Sequence, residues 1–153
     1  MDIYFRLLLG HIMGDYLLQP LVMAIQKSPR KPVPEKARIK GQSDGSVPIG
    51  VAIRWSIIHC LVYTTCVCLW LWTWHPAVFV LIFLTHWPID FLSLADRWLG
   101  FIGGRTMRQA DEDTTPFRHW NIAFTAVVYS VTDNGMHLML MYPVVLALQR
   151  GLI

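Results

Sequence analysis

Four apolar runs, each long enough to cross a bilayer as a helix, constrain this chain more than any other feature. They cover about residues 3–25, 54–74, 76–95 and 120–148 of a 153-residue sequence. A helix rising about 1.5 Å per residue needs about 20 apolar residues to span a hydrocarbon core of about 30 Å. Charged residues make up 15% of the chain and hydrophobic ones 54%, against roughly 25% charged in soluble domains. The pattern predicts an all-α fold, an integral-membrane four-helix bundle in a single transmembrane domain over residues 1–153. The first run lacks a basic leader and a small-residue cleavage site, and it carries His11 and Asp15 in its middle. It is expected to be kept as the first helix and not removed as a signal peptide.

Charge placement sets the expected orientation. Lys27, Arg30, Lys31, Lys36, Arg38 and Lys40 lie between the first two runs, with Arg54 at the start of the second and only Glu35 and Asp44 to oppose them. Arg97, Arg105, Arg108 and Arg118 lie between the third and fourth, beside Asp96, Asp111, Glu112 and Asp113. The positive-inside rule puts both loops, about 27–53 and 96–118, in the cytoplasm and both termini outside. Trp70, Trp72 and Trp74 mark one membrane face, while Trp55, Trp98 and Trp120 mark the other. The basic segment 27–54, irregular because of Pro29, Pro32, Pro34 and Pro48, is read first as a topology signal. It can also contact anionic lipid, and no nucleic-acid partner is expected. His75 and His119 are read as interfacial residues.

Within the apolar runs sits a patterned set of ionisable side chains. His11-Ile-Met-Gly-Asp15-Tyr16-Leu17 in the first run is matched by His86-Trp-Pro-Ile-Asp90-Phe91-Leu92 in the third. The repeat suggests a duplicated two-helix hairpin, its halves related by an axis along the membrane normal. The second run adds His59, and the fourth adds Asp133, Asn134 and His137. Residues four apart share a helix face, so His11, Asp15 and Gln19 form one polar stripe, His86 and Asp90 another, Asp133 and His137 a third. Gly10 and Gly14 permit close helix approach beside the first stripe, and Pro88 is expected to kink or widen the third helix between His86 and Asp90.

Three intramembrane carboxylates at about 2.5–3.5 kcal/mol each cost roughly 7–10 kcal/mol, comparable with the roughly 5–15 kcal/mol stability of a whole domain. The stripes must face each other, and something must offset their charge. One answer is one or two divalent metal ions, Zn, Mn or Fe, held by a site centred on Asp15, His59, His86, Asp90 and Asp133, with His11 and His137 as further ligands or supporting groups. Water activated by the ion would then be the nucleophile of a hydrolase, with Asp15 or Asp90 as the catalytic general base. A proton, ion or metal pathway is the second answer, and a structural network of His–Asp hydrogen bonds the third. A non-catalytic interaction protein that works through its basic loop is a separate possibility. Cys60, Cys66 and Cys68 fall on one helix and suggest packing, since an odd number of thiols there builds no disulfide framework. Gly100, Gly103 and Gly104 read as loop glycines, because no phosphate-loop Lys-Ser/Thr follows them.

The opening His11-x-x-x-Asp15-Tyr16-Leu17-Leu18-Gln19, followed by Met23-Ala24 and Lys27, resembles that of a small bacterial and phage membrane-protein family, domain of unknown function 3307. A His in the second helix, His-x-x-x-Asp in the third and Asp-x-x-x-His in the last complete the likeness at His59, His86/Asp90 and Asp133/His137. The resemblance covers most of the chain and implies a four-helix, multi-pass protein of the bacterial inner membrane. The loop from Pro29 to Pro48 is longer than that family's linker. The overall pattern is also similar to inner-membrane proteins described as metal-dependent hydrolases. The likeness implies fold and motif, and no established reaction.

Overall fold

The computed structural model describes residues 2–29, 46–103 and 106–153. Among them the architecture is all-helical. Helix α1 spans Ile3–Ile12 and continues as a π-helical turn over Met13–Leu17. After a break comes the short α2, Leu21–Gln26, then α3, Ile49–Leu71. Helix α4 is Pro76–Phe91, α5 Leu94–Gly103, α6 Met107–Asp111 and α7 Arg118–Gln149.

Three differences from the sequence reading bear on the site. The first run is not one helix. Leu18 leaves helical geometry, and Pro20, which has no N–H to continue the ladder, serves as the N-cap of α2. The third helix passes through Pro88 without ending. It stops at Phe91, and a 54° bend separates it from α5, with Ser93 at a positive φ of 50° between them. The segment expected as a second cytoplasmic loop carries α5 and α6, so Gly100 and Gly103 lie in a helix and not in a loop. Gly104, and the basic residues Arg30, Lys31, Lys36, Arg38 and Lys40, lie outside the described residues.

Helix α3 is the spine, with α1 and α4 packed against it and α7 closing the bundle against both. Chains can approach closely where α1 crosses α3. A Cβ on Gly10 would come within 2.8 Å of Val67 Cα, and one on Gly14 within 2.9 Å of Tyr63 Cα. The order of these contacts makes α1 and α3 antiparallel. An apolar layer including Leu7, Val67, Leu71, Val78, Ile82 and Met141 fills one end of the bundle. A smaller one, Val47 and Ala52 with Ile25 and Phe91, fills the other. Between the layers, α3 buries Ser56, His59, Tyr63 and Thr64. Its opposite side exposes Ile49, Ile53, Ile57, Leu61 and Leu69. Over this middle stretch the helix turns its polar side chains inward and Ile57 and Leu61 outward. Cys60, Cys66 and Cys68 are buried free thiols.

By length and apolarity, α3 alone among the described helices can cross a membrane by itself, and α4 with α5 does so only as a bent pair.

Candidate metal centre

The His-x-x-x-Asp spacing does its work on α4. His86 and Asp90 stand one turn apart, with His86 Nε2 2.9 Å from Asp90 Oδ2. Helix α3 brings His59 to the same oxygen, its Nε2 also at 2.9 Å. The two imidazole Nε2 atoms are 3.0 Å apart. From the π-helical turn, Asp15 Oδ1 reaches to 3.0 Å from His59 Nε2 and 3.7 Å from His86 Nε2. The wide turn and the absent Gly14 side chain let that carboxylate come in against α3.

These four groups can hold a metal ion. Atoms coordinated at about 2.0–2.1 Å by a tetrahedral ion lie roughly 3.3 Å apart, and the separations above straddle that value. A hydrogen-bond account is harder to complete. The Gln19 amide lies 2.9 Å from His59 Nδ1 and satisfies its surroundings best with its oxygen turned inward, accepting there and from Lys27 Nζ at 2.8 Å. The His59 proton then resides on Nδ1, and a bare Nε2 lone pair faces two carboxylates and another imidazole. A cation or an N–H donor facing Nε2 makes that arrangement favourable. Fixing the ligand nitrogen by a hydrogen bond from the opposite ring nitrogen is also how metal-binding histidines are usually held.

One cation is already there, and the sequence reading assigned it elsewhere. Lys27, counted among the basic loop residues, is buried. Its Nζ lies 2.8 Å from Asp90 Oδ2, 3.2 Å from His59 Nε2 and 3.9 Å from Asp15 Oδ1. Lys27 therefore does not join a lipid-facing patch. It is brought in because α2 resumes after Pro20 packed on α3 and its end is latched to the bend after α4. Ser28 Oγ donates to the Phe91 carbonyl at 3.1 Å, which leaves Ser93 Oγ to donate to Ser28 Oγ at 2.7 Å. Nothing in the charge pattern separates Lys27 from Arg30 or Lys31. Its one distinguishing signal was its place in the family-like opening motif.

The remaining predicted residues divide. Asp133 and His137, on α7, form a second group with Asp90. His137 Nε2 lies 3.7 Å from both Asp90 Oδ1 and Asp133 Oδ2. His11 belongs to neither group. Its Nδ1 lies 2.8 Å from the Tyr63 hydroxyl and its Nε2 2.5 Å from Asn134 Oδ1, so both ring nitrogens are committed. Nδ1 also lies 3.3 Å from Asp15 Oδ2, which makes His11 a support for that carboxylate. Tyr63, which sequence reasoning missed, stacks on His86 with ring centroids 3.6 Å apart, and His137 stacks on the other side of His86 at 4.1 Å. A Tyr in an apolar run has no pattern to betray it. A cleft of about 170 Å³, lined by Asp15, Tyr16, Gln19, Lys27, Tyr129 and Asp133 among others, leads to this centre between the π-helical turn and α7. Tyr16 at its mouth accepts a hydrogen bond from Asn134.

No family model, curated protein or solved structure matches this chain, so its reading rests on the geometry above.

Proposed function

We propose that this chain is a membrane-embedded, metal-dependent hydrolase acting on a lipid or lipid-linked ester or phosphate. The observation that carries this reading is the crowding around His59 Nε2, where Asp15, Asp90, His86 and Lys27 all approach within 2.9–3.2 Å. One ring nitrogen offers a single proton or a single lone pair, too little for four partners, whereas one ion could be shared by His59, His86, Asp15 and Asp90 while Lys27 keeps its pairing with Asp90. Charge agrees. Asp15, Asp90 and Asp133 against Lys27 leave two negative charges, the amount one divalent ion neutralises.

His59, His86, Asp90 and Asp15 would hold the ion, with Zn, Mn and Fe all compatible with this donor set. An ion held there would supply Lewis acidity and would lower the pKa of a water toward neutrality. Asp15 lines the cleft as well as the centre and is the carboxylate placed to take a proton from that water. Lys27 lines the same cleft and is placed to pair with an anionic headgroup. The cleft is small beside the roughly 300–1,000 Å³ of drug-sized pockets, so only the reacting headgroup would enter while the acyl chains stay outside.

The multi-pass membrane placement is part of the proposal. It is supported by outward apolar stripes on several helices, Ile53, Ile57 and Leu61 on α3 and Phe124, Val127 and Val131 on α7 among them. Contiguous apolar surface of this kind is rare on soluble monomers. In this reading α3 by itself, and α4 together with α5 as a bent pair, cross the bilayer. Helix α1 enters it and breaks at Leu18–Pro20 beside the centre, where irregular backbone is tolerated because it lines a polar site. The duplicated-hairpin origin rests on the repeated motif alone.

Elemental analysis of detergent-purified protein, wild type beside Asp90→Ala, tests the reading. Stoichiometric Zn, Mn or Fe in the wild type and its loss in the variant are expected, together with chelator-sensitive release of headgroup from lipid vesicles. Wild-type protein without transition metal, whose melting is unmoved by chelator, would overturn it. A second reading, proton- or ion-coupled transport, draws on the buried Lys27–Asp90 pair, since such pairs also build relays. It expects gradient-driven flux in liposomes that Asp90→Asn abolishes.

A further inference from the structure

The centre described above uses one oxygen of Asp90. Its other oxygen, Oδ1, faces away from Lys27 and toward α7, where His137 Nε2 stands 3.7 Å off. The same nitrogen is 3.7 Å from Asp133 Oδ2. These distances are too long for hydrogen bonds but suit three atoms arranged about a common ion. The side chain of His137 is 1% exposed, and neither of its ring nitrogens has a hydrogen-bond partner among the described residues. Asp133 Oδ1 has none either. A buried imidazole that makes no close hydrogen bond is uncommon in folded proteins. His137 is held in place by its stack on His86, so the ring cannot turn away to find one.

We propose that Asp90, Asp133 and His137 form a second divalent-cation site, and that Asp90 bridges it to the first through its two carboxylate oxygens. The inference rests on the single-metal reading above and extends it to a dinuclear centre. Paired ions of this kind lie about 3.5–4 Å apart in known two-metal enzymes and clamp the attacking and leaving oxygens of a displacement. The bridging role separates the two copies of the repeated motif, because Asp90 is the carboxylate that faces both groups. With two ions and Lys27 set against three carboxylates, the centre gains an excess of positive charge. It therefore favours an anionic ligand such as a phosphoryl headgroup in the cleft.

The test is Mn²⁺ loading of metal-stripped, full-length protein in detergent, read by bound-metal stoichiometry and by electron paramagnetic resonance. Two Mn²⁺ per chain with an exchange-coupled spectrum are expected. His137→Ala should fall to one Mn²⁺ and give an uncoupled spectrum, while Asp90→Ala should lose both. If His137→Ala does not fold, the coupled spectrum of the wild type decides the question alone. One Mn²⁺ per wild-type chain with an uncoupled spectrum overturns the second site and leaves the first standing. No bound Mn²⁺, with none of the Zn or Fe of the earlier test, overturns both.

Discussion

The two copies of His-x-x-x-Asp share spacing and the aromatic-Leu that follows, yet the structure uses them differently. In the second copy both members converge on the centre, because His86 and Asp90 ride one continuous helix and meet at 2.9 Å. In the first copy the histidine is diverted. His11 is taken up by Tyr63 and Asn134, and only Asp15 reaches the centre. The backbone explains the split. The first copy lies where α1 widens into a π-helical turn packed on α3 through Gly14, while the matching position in the second copy is the buried Ile89. A π-turn adds a residue to the loop of hydrogen bonds and swings the following side chain around the axis. Equal spacing in sequence thus gives unequal roles in space, and a repeated motif identifies candidates without ranking them.

The comparison can be broken most severely at the carboxylates. Asp90→Ala strips the buried Lys27 of its partner at 2.8 Å, and removing one member of a buried pair costs about 3–5 kcal/mol. Thermal denaturation in detergent should show that loss, together with loss of bound metal. Asp15→Ala leaves the Lys27–Asp90 pair intact and should destabilise by visibly less. Equal losses would mean that the two copies carry equal weight.

The histidines sharpen the same contrast. His86→Ala should abolish stoichiometric metal, whereas His11→Ala should retain metal with affinity weakened by about 10–100-fold, as for groups that orient a ligand. The His11 variant should also lose about 1–3 kcal/mol, because Tyr63 and Asn134 are left without their buried partner. Metal titration and melting of the two variants side by side measure both effects. A His11 variant that binds no metal would place His11 among the ligands.

Lys27→Met separates charge from packing. Without metal the variant should be less stable than wild type, since Asp90 loses its cation. Added Zn²⁺ at 100 times its Kd should restore about 2.7 kcal/mol by binding the folded state alone. Melting curves with and without Zn²⁺ check this, and a variant that Zn²⁺ leaves unmoved counts against a cation site at His59.

The backbone variants act through packing alone. Gly14→Ala presses a Cβ to within 2.9 Å of Tyr63 Cα, and overpacking of this kind costs about 1–3 kcal/mol. Pro88→Ala should shift the melting temperature least, because α4 already continues past Pro88 to Phe91. A large change at Pro88 would show that the second copy, like the first, depends on a special backbone.

Much of the centre was legible because ionisable side chains are so costly in apolar runs. Asp15, His59, His86, Asp90, Asp133 and His137 stood out against Leu, Val and Ile, and helical spacing already placed the pairs on common faces. Lys27 was illegible for the opposite reason. Surrounded by Arg30, Lys31 and Lys36, it looked like one more loop charge, and only the packing of α2 on α3 after Pro20 made it a partner of Asp90. Tyr63 and Ser28 escaped notice because neither departs from what a membrane helix or its flank ordinarily contains. The continuous first helix failed at Leu18–Pro20, where the apolar run continues in composition but the proline cannot continue the hydrogen-bond ladder.

By itself, then, the sequence determined the helical class, the apolar outward faces and the identity of nearly every group that the centre brings together. Those follow from solvation and helical period, which are local properties of residues. Tertiary structure alone decided which copy of the repeat delivers both of its members, and which lysine is buried. It also decided that Asp90 faces two groups at once. Those are distances between separate helices, set by how closely Gly10 and Gly14 let α1 approach α3 and by where the chain breaks.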